Sequence, residues 1–513
     1  MKYILLLLMV VTPRTFASRF LRQSNETTQV DHTVDGVNAT RRLDHVLDAL
    51  IIGSGWAGLG AARKLQSSGV TNFQVLEGRD YVGGRSATIP VEGENAFVEL
   101  GSEWIHGVST SNPVYRLALQ ARIAVMKSQD TGGTWSNVYG SNVPHEISDA
   151  DIDDIQDMFN DFMNFQARLQ YSTNYDTSLQ NVANQFIQNR GISGDDLLGF
   201  QAALDSNIIE EFSSSLEDMS LWWWDMGSYI SGGDGVLTQV GSPNQKVGYS
   251  GVVDYFAGPV ASKIQLNSKV TSIDWTTAPV VVTYVQDGVE RQLQANNVIV
   301  TVPVSVLQQN RISFTPSLPR RKRNALNKIG MGSYNKCILV WDDDADLPWP
   351  SGEWLEKIGE VSQIGRWTTF YNQQARQGKN ILVAFAAGRQ GKAIESLTDA
   401  QIQAEVMESL ADMFGPNAVP PPKKVIIKKW GTDEFALGSY SYMKVGAKPR
   451  HRKILAEPLD NRLYFAGEAT HSQYPSTTHG ALLSGRTAGN MVAQKFGRRK
   501  LLAGKLFSKE DDY

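Results

Sequence analysis

Residues 45–77, HVLDALIIGSGWAGLGAARKLQSSGVTNFQVLE, decide the fold. Residues 46–52 have the composition of a buried strand, a helical segment follows the turn that contains Gly53, Gly55 and Gly58, and a second strand ends at Glu77. The glycines allow a tight turn and a close approach of the backbone, and the helix N-terminus suits a pyrophosphate. Glu77 stands where an acid can accept hydrogen bonds from a ribose. This order predicts a dinucleotide-binding unit; the alternative is a glycine-rich turn that binds nothing.

The composition is that of a globular protein with a slight excess of acids. The 513 residues include 49 Lys and Arg, 53 Asp and Glu and a single cysteine, and 42% of them are hydrophobic. One thiol cannot form an intrachain bridge, so a disulfide scaffold is excluded. The length fits about three domains or two large interlocked ones. A formal net charge of −4 disfavours nucleic acid as a partner and suits a cationic small molecule.

The N-terminus has the pattern of a secretory signal. Lys2 precedes an apolar run over residues 3–11, and small residues flank Phe16, which predicts a signal peptide over residues 1–17 with cleavage near Ala17. The apolar run is too short to span a membrane, and no later stretch is long and apolar enough to do so. We therefore expect a secreted, extracellular protein without a stable membrane span.

Residues 18–44 are polar and lack apolar periodicity, which indicates a flexible leader. They contain two N-glycosylation sequons, at Asn25 and Asn38, in agreement with a secretory route. Residues 19–22, RFLR, resemble the RxLR host-entry motif of some secreted effectors; the alternative is a basic, protease-sensitive leader.

Two further glycine motifs indicate which dinucleotide binds. Residues 83–85, Gly-Gly-Arg, resemble the second phosphate-contacting motif of FAD-dependent amine oxidases, which a nicotinamide dehydrogenase does not need. Near the other end of the chain an apolar strand leads to Gly467 and Glu468, which the resemblance places on the FAD phosphates and ribityl chain. In the middle of the chain, Val270 would contact the adenine through its backbone. The predicted FAD-binding domain is therefore discontinuous.

Over roughly residues 45–495 the chain resembles the secreted and peroxisomal flavin-containing polyamine oxidases, a branch of the amine oxidase superfamily. Five blocks in the expected order carry the resemblance: residues 53–58, 83–85, 101–107, 430–442 and 464–485. The resemblance implies an α/β fold in which a Rossmann-like FAD-binding domain is interleaved with an α+β substrate-binding domain. It also implies oxidation of the secondary amines of spermine, spermidine or their acetylated forms.

The domain boundaries follow from the order of these motifs. We assign residues 45–120, 246–310 and 426–495 to the FAD-binding domain, and residues 121–245 and 311–425 to the substrate-binding domain. Residues 496–513 are assigned to a C-terminal tail. Within the first substrate segment, Ser148 is a plausible helix N-cap before apolar residues with three- and four-residue spacing.

The predicted flavin is non-covalent. The monoamine oxidase branch links FAD to a cysteine near the C-terminal Gly-Glu motif, whereas residues 469–475 contain none and Cys337 lies in a buried strand pattern. The resemblance places the backbone N–H of Thr478 near the flavin pyrimidine oxygens, and no metal is expected. Further cofactor contacts are expected at Arg85, Gly101, Ser102, Glu103, Trp104 and Trp430.

Two residues are expected to act at the reacting centre. Lys336 matches the family lysine that holds a water near flavin N5; the alternative is an exposed lysine at a strand end. His106 is expected to contact the substrate as an imidazole that titrates near neutrality, and so to bind an amine or favour its neutral form. The alternative for His106 is a structural histidine. Substrate contacts are also expected at Trp104, Trp430, Tyr440, Tyr474 and Thr477.

The expected reaction is hydride transfer from the carbon beside a neutral secondary amine to flavin N5. The imine product would hydrolyse to an aminoaldehyde and an amine, and O₂ would be reduced to H₂O₂. Three alternatives stay open: an L-amino acid or other amine oxidase, a histone-lysine demethylase, and a secreted interaction protein that holds FAD without turnover. No arginine clamp for a carboxylate is evident, and secretion disfavours histone as a substrate.

Overall fold

The computed structural model of the chain describes residues 46–128, 138–140, 146–238 and 247–507, with the backbone alone for residues 361, 375 and 497–507. The expected signal peptide and leader, including Asn25 and Asn38, and residues 508–513 of the tail lie outside this part. Among the residues described, no helix has the length and apolar character needed to cross a membrane.

Strands from every part of the described chain build the sheets. They are β1 (Ala49–Ile52), β2 (Phe73–Leu76), β3 (Thr88–Pro90), β4 (Phe97–Glu99), β5 (Trp104–His106), β6 (Ala124–Lys127), β7 (Val138–Gly140), β8 (Asp234–Thr238), β9 (Ile264–Gln265), β10 (Ser268–Asp274), β11 (Val280–Gln286), β12 (Val289–Ala295), β13 (Val298–Val300), β14 (Ser313–Thr315), β15 (Ile329–Met331), β16 (Tyr334–Val340), β17 (Trp354–Ile358), β18 (Arg366–Asn372), β19 (Ile381–Ala387), β20 (Lys424–Lys428), β21 (Ser441–Met443) and β22 (Leu463–Phe465).

Helices connect and cover these sheets. They are α1 (Trp56–Ser67), α2 (Pro113–Gln120), α3 (Asp149–Ser172), α4 (Leu179–Arg190), α5 (Gly194–Leu204), α6 (Gly248–Ala257), α7 (Val304–Gln308), α8 (Arg320–Lys328), α9 (Gln374–Gln377), α10 (Gly388–Ala393), α11 (Asp399–Phe414), α12 (Pro449–Ala456) and α13 (Thr478–Phe507). A π-helical turn, Asp205–Glu210, directly follows α5. The expected N-cap of α3 is confirmed, because the Ser148 hydroxyl accepts a hydrogen bond from the backbone N–H of Asp151.

A five-stranded parallel sheet with the order β22-β13-β1-β2-β9 holds the dinucleotide motif. Both faces of the sheet are covered, as is usual for parallel sheets. Ala49 and Ile51 face a core shared with α1, α6 and α13, whereas Leu50 and Ile52 face a core shared with β10, β11 and β13. The strands come from all three segments that the sequence assigned to the FAD-binding domain.

A mixed six-stranded sheet with the order β20-β16-β19-β18-β17-β7 forms the other half of the molecule. Helix α11 packs on it through Ile402, Val406 and Leu410. Helices α3, α4 and α5 form a separate aromatic core around Phe162, Phe186 and Phe200. Apart from β20, which continues past residue 425, these elements come from the segments assigned to the substrate-binding domain.

In the structure, both ends of the second substrate-domain segment differ from the boundaries predicted from the sequence. Strand β14 pairs with β10, and Leu318, Leu326 and Ile329 pack into the core beneath the five-stranded sheet, so the chain changes sides near residue 334 and not at 311. Strand β20 pairs with β16 in the six-stranded sheet, so the return lies after residue 428 and not at 425. Strand pairing and side-chain burial determine these boundaries. The order of the sequence motifs predicts neither of them.

Helices α1 and α13 touch through glycines. A Cβ atom on Gly485 would lie 1.8 Å from the carbonyl oxygen of Ala57, and one on Gly60 would lie 2.5 Å from that of Leu482. Such distances lie far inside van der Waals contact, so any larger side chain would push the two backbones apart. The glycines therefore fix how closely the N-terminal and C-terminal segments pack.

We predict that Gly485→Ala lowers the free energy of unfolding by about 1–3 kcal/mol, because the added methyl overpacks this contact. Urea unfolding followed by tryptophan fluorescence measures the change. The matched control is Gly258→Ala, since Gly258 has a right-handed backbone and no atom within 4 Å of an added Cβ. The control should cost less than Gly485→Ala, because the only strain on its added methyl group comes from the helical backbone before Pro259. Equal stability of the two variants would contradict the close contact.

Candidate functional site

A cavity of about 990 Å³ lies between the five-stranded and six-stranded sheets. It receives residues from the N-terminal, middle and C-terminal parts of the chain. Most of the residues expected at the site line it: Gly53, Gly55, Glu77, Arg85, Gly101, Ser102, Glu103, Trp104, His106, Val270, Lys336, Trp430, Tyr440, Gly467, Glu468, Tyr474, Thr477 and Thr478. The topology thus brings together positions that are up to 425 residues apart in the sequence.

Gly58 is the exception among these residues. A Cβ on Gly58 would lie 1.9 Å from the carbonyl oxygen of Gly53 and 3.1 Å from the Thr301 hydroxyl. Its role is to let α1 approach the turn, and it does not line the cavity wall. The expected cofactor contact at Gly58 stays a prediction.

The turn between β1 and α1 is open to the cavity. Gly55 caps α1 without any side-chain hydrogen bond, so the first N–H groups of the helix have no side-chain cap. An added Cβ on Gly55 would meet only the carbonyl oxygen of Gly83, at 3.9 Å. Uncapped N–H groups and the helix dipole suit an anionic group such as a pyrophosphate.

Glu77 is held at the end of β2 by its neighbours. One carboxylate oxygen accepts hydrogen bonds from the backbone N–H and the hydroxyl of Ser54, at 2.7 and 2.8 Å. The other oxygen accepts from the backbone N–H of Arg79, at 3.0 Å. The carboxylate is thus fixed at the cavity wall with lone pairs left for the hydroxyls of a ribose. Together with the open turn, this arrangement fits the adenosine diphosphate part of FAD.

Glu468 joins three segments beside the cavity. Its carboxylate accepts from the Ser441 hydroxyl at 2.6 Å and from the backbone N–H of Ser476 at 3.0 Å, and it lies 3.3 Å from the guanidinium of Arg85. Arg85 also donates to the carbonyl oxygen of Ser439. Glu468 therefore positions Arg85, and its expected contact with the cofactor stays a prediction.

Arg452 is a cavity residue that the sequence analysis missed. Its side chain is buried, donates to the Ser441 hydroxyl at 2.7 Å and to the carbonyl oxygen of Ala469 at 3.1 Å, and leaves Nε without a partner. Burial lowers the pKa of Arg452 to about 10. An unpaired buried guanidinium N–H at the cavity wall fits a ligand rich in acceptors, as FAD is. No local pattern in α12 distinguishes this arginine from its basic neighbours.

Thr477 and Thr478 have different roles at the start of α13. The helix begins at Thr478, so its N-terminus faces the cavity. The Thr477 hydroxyl, however, accepts from the backbone N–H of Gly480 at 3.0 Å and donates to the carbonyl oxygen of Tyr474 at 3.1 Å. The Thr477 hydroxyl therefore caps the helix, and the expected substrate contact of this residue stays a prediction.

Lys336 is buried in a network of four charged side chains. Its ammonium donates to the carboxylate of Glu103 at 2.6 Å and to the carbonyl oxygens of Glu99 and Gly101 at 3.0 and 3.1 Å. The alternative of an exposed strand-end lysine is wrong, since the side chain is 2% exposed. All three donors of the ammonium have protein acceptors, so in this arrangement none remains for the expected water.

Glu103 belongs to the same network. Its second oxygen accepts from the guanidinium of Arg376 at 2.6 Å and from the side-chain amide of Gln373 at 3.1 Å. Arg376 also lies 3.7 Å from Glu99, where burial raises the pKa of the carboxyl to about 7. Glu103 was expected to contact the cofactor, but its carboxylate is committed to Lys336 and Arg376. The network thus contains two acidic and two basic side chains, whose charges compensate one another in the protein interior.

His106 pairs with an acid on the neighbouring strand. Strands β5 and β8 place His106 opposite Asp234, with Nδ1 and the carboxylate 3.1 Å apart. Burial favours the neutral imidazole, but Asp234 and Glu211 outweigh it and raise the pKa of His106 to about 9. The expectation of titration near neutrality is therefore corrected, because the ring is cationic at pH 7.

Aromatic rings form much of the remaining wall. Trp104 stacks on Trp354 with ring centroids 5.5 Å apart, and the indole N–H of Trp430 donates to the carbonyl oxygen of Leu100. The Tyr440 hydroxyl donates to the carbonyl oxygens of Glu210 and Glu211. Tyr474 stacks on His471, with centroids 5.5 Å apart. These faces suit methylene chains and ammonium groups.

Carboxyl groups also line the cavity, and most of them escaped the sequence analysis. They are Glu210, Glu211, Asp225, Asp234, Glu356 and Glu434. The Glu210-Glu211 pair before three serines was a visible signal, whereas Glu356 reaches the cavity only through the pairing of β17 with β18. The single cysteine, Cys337, is buried in β16 away from the cavity, and burial raises the pKa of its thiol to about 12.

Comparison with known proteins points to one family. Residues 56–492 match the family described as flavin containing amine oxidoreductase. The chain is 31% identical over 459 residues to probable polyamine oxidase 4 of Arabidopsis thaliana, an alignment that covers 86% of this chain and 85% of that protein. It is 30% identical to polyamine oxidase 3 of Oryza sativa subsp. japonica, with 87% and 89% covered.

Two other comparisons concern a longer protein and a solved structure of lower sequence identity. The chain is 30% identical to lysine-specific histone demethylase 1 homolog 1 of Arabidopsis thaliana over 87% of its own length, but it spans only 52% of that protein. A solved structure of putrescine oxidase bound to putrescine superimposes with a TM-score of 0.66 and 20% identity, with 88% of this chain and 99% of that chain covered. At this identity the likeness concerns the fold alone.

We predict that Lys336→Met lowers the free energy of unfolding by about 3–5 kcal/mol, because it leaves the two buried acids with only Arg376. The double variant Lys336→Met/Glu103→Gln removes one of those charges and should recover part of the loss. The control Lys269→Met breaks a surface pair, whose side chains are 49% and 55% exposed, and should cost less than about 1 kcal/mol. Urea unfolding measures all three. Strict additivity in the double variant would contradict the network.

Proposed function

The chain belongs to the flavin-containing amine oxidoreductase family, and from that membership we propose that its substrates are polyamines. It is an FAD-dependent amine oxidase, and FAD is held without a cysteinyl bond. The observation that carries the proposal is the combination of acids and aromatic rings around one cavity that also contains the dinucleotide cradle. The similarity to the two plant polyamine oxidases supports the same substrate class.

In the proposed reaction a secondary amine is oxidised to an imine, which hydrolyses to an aminoaldehyde and an amine. When bound, FAD supplies the two-electron acceptor, and O₂ takes the electrons on to H₂O₂. The chain contributes a cavity of about 990 Å³ whose walls orient the substrate and exclude water. Trp104, Trp354 and Tyr440 offer apolar faces to the methylene chain.

The charged side chains of the cavity wall would determine where the substrate binds as a neutral amine and where it binds as an ammonium group. Loss of hydride requires a neutral amine, and the cationic His106 disfavours a second positive charge beside it. Asp225 and Glu356 also line the cavity, and their carboxyl groups would attract ammonium groups. A polyamine carries several nitrogens on one chain and can satisfy both conditions, whereas a simple monoamine cannot.

We also propose that the protein is secreted, on the evidence of the signal-like residues 1–17. The same route would permit sugars at Asn25 and Asn38. Expression in a eukaryotic host tests both points: the medium should contain protein that starts near residue 18 and loses mass on treatment with a glycosidase. Protein retained in the cell with Met1 intact would contradict the proposal.

Peroxide formation tests the substrate class. The FAD-loaded protein is incubated with spermine, spermidine, acetylated spermine, putrescine, an L-amino acid mixture and a dimethyl-lysine peptide. We expect peroxide with spermine or spermidine and with their acetylated forms. The similarity to histone demethylases makes the lysine peptide the relevant competitor. Peroxide from the peptide alone would replace the proposal, and none from any amine would favour a flavoprotein without turnover.

We predict that Asp234→Asn moves the pKa of His106 from about 9 towards its ordinary value of 6.5. The ion pair stabilises the folded protein fully below pH 6.5, and its contribution is lost as the pH rises through about 9. NMR of protein with labelled histidine, assigned through His106→Gln, measures the midpoint. Asp225→Asn is the matched control and should leave it unchanged. A wild-type midpoint near 6.5 would contradict the pairing.

A further inference from the structure

A second cavity, of about 560 Å³, lies beside the π-helical turn that follows α5. Its walls come from α4, α5, α10 and the segments 215–217 and 362–364. Within the turn, Ile209 lines this second cavity, whereas Asn207, Ile208 and Glu210 line the main cavity of about 990 Å³. Turns of π-helix are rare and occur frequently at functional sites. The turn thus borders two cavities, and FAD with an amine accounts for one of them.

The walls of the second cavity are mainly aliphatic. Buried side chains from several elements line it: Ala183 on α4, Leu204 at the end of α5, Ile209 in the turn, Leu216 and Ala387. Small-molecule sites have volumes of about 300–1,000 Å³ and combine such apolar walls with a few polar groups. The size and the lining of the second cavity therefore suit the apolar body of a small molecule.

Several polar groups of the wall bind one another. The Ser215 hydroxyl accepts a hydrogen bond from the backbone N–H of Arg389 at 2.7 Å, and the side-chain amide of Gln390 donates to the carbonyl oxygen of Ser362 at 2.6 Å. Within the described chain, the charged side chains that line the second cavity are Arg389 and Glu217, which pair at 3.2 Å and are 77% and 44% exposed. Because these two charges compensate each other near the solvent, the wall favours an uncharged ligand.

Gln201 differs from these paired groups. It lies on α5 and lines the second cavity, and its Oε1 atom is buried without a hydrogen-bond partner among the residues described. A buried acceptor that stays unpaired costs free energy, and a donor on a bound molecule would remove that cost. The position of Gln201 therefore predicts an N–H or O–H donor on the ligand.

Water is the alternative occupant of the second cavity. A buried water molecule needs about two to four polar partners. Where Ala183, Ile209 and Leu216 line the cavity, the wall presents aliphatic groups. Water can satisfy Gln201 but gains little from the rest of the wall, which an apolar molecule would cover.

We propose that the second cavity binds a small uncharged molecule with an apolar body and one hydrogen-bond donor. The donor pairs with Oε1 of Gln201, and the apolar body packs against Leu204, Ile209 and Leu216. These four residues are not among the described residues that line the main cavity, so the site is distinct from the one assigned to FAD and the amine. The inference is therefore independent of which amine is oxidised.

Two matched probes test the site on the FAD-loaded protein. Indole is a flat apolar molecule with one N–H donor, and 1-methylindole has the same ring system without the donor. NMR titration of the probe signals measures the Kd of each. We expect indole to bind about 3–10-fold more tightly than 1-methylindole, because only indole can pair with Gln201.

Two variants locate the binding. Gln201→Leu removes the acceptor with little change in volume, and it should fold at least as stably as the wild type because it removes an unpaired buried oxygen. We expect this variant to lose the preference for indole. Ile187→Trp places a larger ring at the wall and should abolish the binding of both probes. The matched control is Gln185→Leu on α4, an exposed position outside the described wall, which should behave as wild type.

Circular dichroism confirms that each variant is folded. Failure of both probes to bind the wild type would overturn the site, and so would an unchanged preference for indole in folded Gln201→Leu. A preference that disappears in Gln201→Leu and persists in Gln185→Leu supports the site. That result would stand even for a protein that forms no peroxide with any polyamine, so failure of the site and failure of the proposed function are distinguishable.

Discussion

The contact between α1 and α13 is the constraint on which the site depends. Because Gly60 and Gly485 let the two backbones touch, helices from opposite ends of the chain begin beside the same cavity. The approach also brings Glu468 within 3.3 Å of Arg85, and that pair ties the C-terminal Gly-Glu motif to the N-terminal Gly-Gly-Arg motif. One steric requirement therefore aligns two helix N-termini and two glycine motifs around one ligand.

Two groups of buried charged side chains border this cavity. Only one of them contains both acids and bases. Glu99, Glu103, Lys336 and Arg376 alternate in sign and use almost every donor and acceptor they have, so they form a rigid support beneath Trp104. Asp205, Glu210 and Glu356 are all acids, and one oxygen of Asp205 and one of Glu210 have no partner among the residues described. The first network is balanced by its own charges, whereas in the second the raised pKa of Glu210 favours a retained proton.

The residues that could be predicted from the sequence are those whose role depends on their immediate neighbours. The turn at Gly53 and Gly55, the acid at Glu77 and the N-cap at Ser148 are local patterns, and the structure has each of them in the expected element. The roles of Glu103, Arg452 and Glu356 depend on partners far away in the sequence. The boundary near residue 334 likewise depends on where Leu326 and Ile329 are buried. Pairing across strands decides such features, and no single segment contains the information.

The corrected charge of His106 changes how the cavity discriminates among amines. A neutral imidazole would accept a hydrogen bond from an ammonium and so stabilise the form that cannot lose hydride. The imidazolium held by Asp234 opposes that form, while other acids of the cavity wall, such as Asp225 and Glu356, favour it. Positive and negative walls in one cavity therefore select for molecules with at least two nitrogens separated by an apolar spacer. Selectivity of this kind arises from the arrangement of charge along the cavity and requires no side chain that recognises one particular polyamine.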